Sequence, residues 1–326
     1  MSTPSQLNAQ HIRDFVSTLH TKPYPAIDPL LVKLPSPFVV CIIGGRGAAA
    51  SGIAKAYAQA GASGLILAAR TRSALEETAN EVRSINTATK VVIAECDIAS
   101  NASVESLAKT TKTEFDGHLD VVVVNAGYSG PMIADVVKES PSDFQTAFDV
   151  NTVGCFHAAH HFLPLLLATE SGAKSFIGIS SMAAPMVAGW AAHAHYCASK
   201  AAQTRLIEMI NEQYASKGIF CASLHPGGLQ SEFARKAVPE AFWSGMFFPL
   251  FVSNKSFELM VVGPEAALTD SPDLVGAFCL WLTKPGAKKE VLNGRFLSCK
   301  WDVSELEKKF DDISEKDLLR FRIAVD

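Results

Sequence analysis

The sequence predicts an α/β fold: a single doubly wound parallel sheet with helices on both faces, an N-terminal extension and a C-terminal tail. Three observations carry this. Short apolar runs recur along the chain: "FVVCII" (38–43), "GLILAA" (64–69), "KVVIAEC" (90–96), "DVVVVNAG" (120–127), "KSFIGIS" (174–180) and "IFCASLHPGG" (219–228). Unbroken runs of that length suit strands covered on both faces rather than on one. Helical patterns separate them, and strand–helix alternation implies right-handed βαβ units and a parallel sheet. Finally, 326 residues at 48% apolar can build a sizeable core.

Taken in order, residues 1–36 form an extension. A short amphipathic piece (Ile12, Phe15, Val16, Leu19) leads into "KPYPAIDP", whose prolines exclude helix. Strand one is followed by a glycine loop and a helix with Ile53, Tyr57 and Ala60 on one face, and Gly61 is placed to cap it. After strand two, "SALEETANEVRSI" reads as an exposed helix. The remaining strands alternate with helices as one domain over 37–300, with no internal repeat or low-complexity linker, and 301–326 reads as a helical tail.

Bulk properties exclude several partners. Lys plus Arg is 29 and Asp plus Glu 33, a formal charge of −4 with no basic block, which argues against nucleic acid. Seven scattered cysteines without a C-x-x-C pair read as reduced thiols, and the N-terminus lacks the apolar core of a secretion signal, so a cytoplasmic location is expected. Runs such as "FLPLLLA" are too short for a membrane span. His157, His160 and His161 share a helix face, but no cysteine or carboxylate pairs with them in the sequence. They read as helix surface or subunit contact, and no metal is expected.

In such sheets ligands sit beyond the carboxyl ends of the strands, and residues of chemical interest cluster there. In order they are the glycine loop at 44–50, "CDI" at 96–98, "NAG" at 125–127, "NTVG" at 151–154, "ISS" at 179–181, "YCASK" at 196–200 and "PGGLQS" at 226–231. Together these motifs resemble the short-chain dehydrogenase/reductase family over roughly residues 37–300, a Rossmann-type fold. "KPYPAIDP" and the tail "LNGRFLSCKWDVSELEKK" look like the extended-length fungal members, which would imply secondary metabolism.

The glycine loop admits two alignments with the family pattern. Without a gap, its three glycine positions fall on Gly44, Ala48 and Ala50, with Ala49 between, and helix length favours this. A one-residue insertion instead places Gly47 second, with Arg46 before it, and requires a bulge in the first helical turn. In both, the helix N-terminus offers free N–H groups to a pyrophosphate. Strand two ends in Ala69 and Arg70, with no acid at that turn to repel a 2′-phosphate. Arg70 is a bidentate donor for one, and Arg46 adds a second charge, so NADP is the expected cofactor. The resemblance implies that Asp97 and Ile98 contact adenine, that Asn125 and Gly127 border the cofactor, and that Pro226, Gly227 and Gly228 turn beside the nicotinamide. It implies that Ser231 meets the carboxamide or pyrophosphate.

Tyr196 and Lys200 lie one helical turn apart on one face. A cation beside a phenol lowers its pKa toward neutrality, where it can exchange a proton with a carbonyl or alcohol. By resemblance, Lys200 also holds the nicotinamide ribose, Ser181 orients the substrate oxygen, and Asn151 holds a water connecting Lys200 to solvent. Ser181 and Tyr196 are fifteen residues apart, about two more than usual in the family, which should alter the pocket wall in "APMVAGWAAHAH". His193 and His195, in that segment, read as solvated loop residues or as substrate contacts. The resemblance places a substrate lid at about 232–262, where Trp243, Phe247, Phe248 and Phe251 suggest a bulky apolar substrate. The expected function is NADP(H)-dependent hydride transfer to or from a carbonyl or secondary alcohol of a small molecule, in a homodimer or homotetramer. A redox-neutral cyclase or isomerase and a cofactor-sensing regulator are the alternatives on the same scaffold.

Overall fold

The structure, a computed structural model, describes residues 12–133, 135–187, 192–237, 248–250, 258–260, 268–286 and 290–323. Its main sheet has seven parallel strands: β1 (Val39–Ile43), β2 (Gly64–Ala69), β3 (Lys90–Glu95), β4 (Val121–Val124), β5 (Ser175–Ile179), β6 (Phe220–His225) and, last in the chain, β9 (Arg295–Ser298). The spatial order is β3-β2-β1-β4-β5-β6-β9. The order reverses between β1 and β4, whose register pairs Val40 with Val121, so the crevice expected of a doubly wound sheet opens there. A short antiparallel pair, β7 (Phe248–Leu250) and β8 (Glu258–Met260), falls in the predicted lid. Trp243, Phe247 and Phe251 lie outside the described residues.

The apolar runs are explained by what lies on each face. Along β1, Val40 and Ile42 enter one hydrophobic cluster while Val39, Cys41 and Ile43 enter the other, the period of two that a strand imposes. Helices α3 (Asn101–Glu114), α5 (Gly154–Ala168) and α6 (Ala194–Tyr214) cover one face. Helices α1 (Ala48–Gln59), α2 (Glu76–Ile85) and α8 (Pro272–Thr283) cover the other. Ile53, Tyr57 and Ala60 are all buried, as their spacing predicts, and Gly61 follows the helix with φ +86°.

Helices α1 and α8 cross through a glycine pair that carries no signal in the sequence. A Cβ on Gly52 would lie 1.8 Å from the Pro272 carbonyl oxygen, and one on Gly276 2.0 Å from the Gly52 oxygen. Bare backbone at the crossing allows this approach, and the Tyr57 and Thr283 hydroxyls, 2.6 Å apart, tie the helices further along.

Extension and tail pack on each other and on this layer. Trp301 is fully buried, and Val16, Ile27 and Leu34 join the same cluster. The Tyr24 hydroxyl donates to the Trp301 carbonyl and accepts from the Val303 N–H. Glu305 accepts the Ser17 and Thr18 N–H groups and the Thr18 hydroxyl. The tail itself contains α9 (Val303–Glu307) and α10 (Phe310–Glu315).

Candidate active site

The glycine loop leaves β1 at the point where the sheet order reverses. Gly44 has φ +89°, and a Cβ there would lie 2.3 Å from the Ala126 nitrogen, so the "NAG" turn after β4 can close onto it only because it is glycine. Asn125 locks that contact by donating to the Gly44 carbonyl at 2.7 Å. The second left-handed residue is Gly47, with φ +84°, and α1 begins at the next residue. The ungapped reading placed Ala48 and Ala50 at the glycine positions. They lie inside the helix, where φ is negative and a methyl group carries no strain. Gly47, the position singled out by the gapped reading, and not Ala48, has positive φ, and no bulge accompanies it, because α1 runs regularly over twelve residues. Among the described residues no side chain caps α1, and none lies within 4 Å of where a Gly47 Cβ would sit. An uncapped helix N-terminus beside open space fits a pyrophosphate.

Arg70 is exposed at the end of β2 and has no ion pair among the described residues. Ala69 stands in register with the exposed Glu95 on the neighbouring strand β3. Arg46, by contrast, pairs with Glu232 at 3.3 Å, joining the glycine loop to the short helix α7 (Glu232–Ala237). Asp97 is exposed and turns its carboxylate onto the Ala99 N–H, whereas Ile98 is buried against Gly154. The Ser231 hydroxyl accepts the Ala234 N–H, so it caps α7.

Around the predicted proton-transfer group, Ser181, Tyr196, Lys200 and Asn151 come together beyond β4 and β5. The Ser181 hydroxyl lies close enough to the Tyr196 phenol to favour its ionised form. Gly127 faces both Asn151 and Lys200: its Cβ position is 3.4 Å from Asn151 Oδ1 and 3.7 Å from Lys200 Nζ. Asn151 sits in a π-helical turn, Phe148–Val153, between α4 (Pro141–Ala147) and α5, a local irregularity often found at functional sites. Its side chain is committed: Oδ1 accepts the Tyr128 N–H, and Nδ2 donates to the Tyr128 carbonyl and to the Ser199 hydroxyl. Its amide is therefore a brace between the "NAG" turn and α6, and both of its donors are spent on protein groups.

The electrostatics differ from the expectation for Tyr196. Lys200 is buried, and its ammonium donates to the Ile179 carbonyl at 2.8 Å and to Gln203 Oε1 at 3.0 Å. Burial lowers its pKa to about 8. Burial also dominates at Tyr196 and raises the phenol to about 12, against a smaller lowering from Ser181. The predicted lowering fails in this arrangement because the lysine's contacts go to α6 and β5 rather than to the phenol.

The turn after β6 is held by groups outside the sequence motifs. Gly227 has φ +85°, and Asp270, almost fully buried, accepts the Gly228 N–H at 2.6 Å and pairs with Lys300 at 2.5 Å. Nδ1 of His225 accepts the Met182 N–H, linking this turn to the segment after Ser181. Burial, with the Lys300 charge, lowers His225 to about 3. Sequence reasoning missed Asp270 and Lys300, and only their convergence in space reveals them. His193 and His195 are buried, not solvated, and the His193 ring lies parallel to the Tyr196 ring at 5.4 Å. On α5, His157 bonds the Ile98 carbonyl and His161 the Asn101 side chain.

The sequence profile described as short chain dehydrogenase matches residues 38–241. The chain is 30% identical over 319 residues to short chain dehydrogenase pgmD of Aspergillus terreus, covering 96% of this chain and 95% of that one. It is 30% identical over 325 residues to short chain dehydrogenase pigC of Monascus ruber, covering 98% and 97%. The chain therefore belongs to the short-chain dehydrogenase family, oxidoreductases that use nicotinamide dinucleotides. Among solved structures it resembles a single-site variant of actinorhodin polyketide ketoreductase with NADPH, at TM-score 0.66 and 20% identity over 80% of this chain and 95% of that one. A 7α-hydroxysteroid dehydrogenase with NADH and 7-oxo glycochenodeoxycholic acid gives TM-score 0.66 and 21% identity over 85% and 97%. At these identities the likeness concerns the fold.

Proposed function

We propose that the protein is an NADP(H)-dependent oxidoreductase acting on a carbonyl or secondary alcohol of a bulky apolar small molecule, with Tyr196 as general acid–base. The observation that carries this reading is the convergence of Ser181, Asn151 and Lys200 around the half-buried Tyr196, whose phenol Ser181 biases toward ionisation. Two hydroxyls meeting beyond one end of a parallel sheet can both address a single substrate oxygen. Bound cofactor would supply or accept the hydride. Gly44, Gly47 and the N–H groups of Ala48 and Ala49 would hold its pyrophosphate, and Arg70 its 2′-phosphate. Ile98, Asn125, Gly127 and the Pro226–Gly228 turn would border the rest.

In the reductive direction Ser181 orients the carbonyl oxygen, and Tyr196 hands it a proton as negative charge develops there. A phenol at about 12 is a reluctant acid near neutrality. Lys200 becomes effective by turning its ammonium from Gln203 toward the phenol, which favours the phenolate left after proton transfer. The aromatic rings of His193 and Phe233 beside Tyr196 support a bulky apolar partner. A second copy of the chain is proposed on the exposed apolar groove between α5 and α6, lined by Phe156, Leu163, Leu206 and Met209.

The test replaces Tyr196 by phenylalanine. General acid–base help is worth about 10²–10⁴-fold, so reductase turnover should fall by that order while NADPH binding survives. Unchanged turnover in Tyr196→Phe contradicts the assignment.

A further inference from the structure

Helix α6 carries Tyr196 in its first turn, yet its N-cap, His193, makes no side-chain capping bond. The leading N–H groups are taken instead by Glu139, from the segment before α4. Ala194 donates to Oε1 at 2.6 Å and His195 to Oε2 at 3.1 Å. A carboxylate is the favourable group at the positive end of a helix, and its hydrogen bonds there are charge-assisted. The same Oε2 lies 3.0 Å from His195 Nδ1. The other ring nitrogen, Nε2, lies 2.6 Å from the Ser129 carbonyl oxygen, which His193 Nε2 also approaches at 3.2 Å. Side-chain exposure is 1% for His195 and 5% for Glu139.

Both nitrogens of His195 thus face oxygens, Glu139 Oε2 and the Ser129 carbonyl, so the ring bridges the two segments. Burial pushes the Glu139 carboxyl up, but hydrogen bonds from His195 and from the two N–H groups outweigh it and hold it below the usual carboxylate range. A buried charge is tolerated when it is paired and hydrogen-bonded in this way. The pair joins three segments: the stretch before α4, the turn at Ser129 and the start of α6. Each is one step from Tyr196, because the His193 ring that shares the Ser129 carbonyl stacks on the phenol ring.

We propose that Glu139 and His195 are positioning residues that fix the Tyr196 phenol against the substrate oxygen. The proposal rests on the reading of Tyr196 as the proton-transfer group. Neither residue belongs to a motif found in the sequence, and neither touches the phenol. Their effect passes through the helix start and the His193 ring.

The test compares Glu139→Ala, Glu139→Gln and Tyr196→Phe in NADPH-dependent reduction of an aromatic ketone such as tetralone. NADPH affinity is followed by fluorescence, and hydrogen exchange is read at residues 194–197. Misplacement of a reacting group by about 1 Å costs on the order of 10²-fold, so Glu139→Ala should lower kcat by roughly 10–100-fold. It should leave NADPH affinity intact and speed exchange at the start of α6. Glu139→Gln keeps one acceptor oxygen and should recover part of kcat. Normal exchange in Glu139→Ala, or normal kcat beside a disabled Tyr196→Phe, overturns the proposal and leaves the Tyr196 reading standing. Joint loss of kcat and NADPH affinity, with no recovery in the glutamine variant, marks general loosening and also overturns it. Wild-type turnover in Tyr196→Phe sinks the underlying reading instead. If Glu139→Ala does not fold, Glu139→Gln decides: normal kcat and exchange there overturn the proposal, and reduced kcat with intact NADPH binding supports it.

Discussion

Arg70 and Lys200 are two cations in opposite situations, and each makes a separate prediction. Arg70 is exposed and has no ion pair among the described residues, so its guanidinium is available to a 2′-phosphate at little reorganisation cost. Losing one charge-assisted pair costs about 1.5–3 kcal/mol. Arg70→Ala should therefore weaken NADPH binding by roughly 10–100-fold in a fluorescence titration and leave NADH nearly unaffected. Equal binding of both cofactors by the wild type would instead point to Glu95 on the neighbouring strand. Lys200 is buried, and its pKa in the fold is near 8 against a usual 10.5. Below pH 8 the ammonium is charged in both states and the folded protein bears the full cost of burying it. Between about 8 and 10.5 the unfolded chain binds more protons, so this residue's contribution to stability improves as pH rises. Turnover should move the other way and fall as pH passes about 8, because the ammonium is then lost. A Lys200→Met variant whose melting temperature shows the same pH slope over that window as the wild type would contradict the assignment.

Helices α1 and α8 make the corresponding case at the level of elements. Gly52→Ala places a methyl within 1.8 Å of the Pro272 oxygen, and the helices must separate. Overpacking of this kind costs about 1–3 kcal/mol, measurable as a lower urea midpoint at constant slope. Gly47→Ala meets open space, yet its φ of +84° costs a side chain about 1–2 kcal/mol. It should weaken NADPH binding more than Gly52→Ala does, since the turn before α1 would shift. The sequence made the first six strands and the helix faces legible, because apolar periodicity reports burial directly, but not the strand order in the sheet or the short edge strand β9, whose four residues are too few to show a pattern. Helical spacing put Tyr196 and Lys200 on one face, and the family resemblance added Ser181 and Asn151 to them. Neither could reveal Glu139 at the start of α6, Asp270 and Lys300 behind the Pro226 turn, or the meeting of Gly52 with Gly276. Those contacts join residues far apart in the chain, and a lone acid, lysine or glycine carries no local signal of its distant partner. The direction of the Tyr196 shift was missed for a related reason. Helical spacing sets Lys200 on the right face, but the carbonyl of Ile179 and the side chain of Gln203 decide where its ammonium points.

For the molecule as a whole, the groove between α5 and α6 exposes apolar side chains, Phe156 at 53% and Met209 at 51%, that a monomer would leave in water. A homodimer closing over it predicts that Phe156→Asp lowers the sedimentation-derived mass to one chain while NADPH binding persists. A wild type that sediments as one chain at micromolar concentration would contradict it. The central claim is that the assembled site performs net hydride transfer. It is tested most directly by turnover with NADPH carrying deuterium on C4 of the nicotinamide, reading product mass alongside absorbance at the nicotinamide band. The account predicts deuterium in the product in step with cofactor consumption, with both largely lost in Tyr196→Phe. Product formed without deuterium, and without NADPH consumed, would contradict it and point to redox-neutral chemistry on the same scaffold.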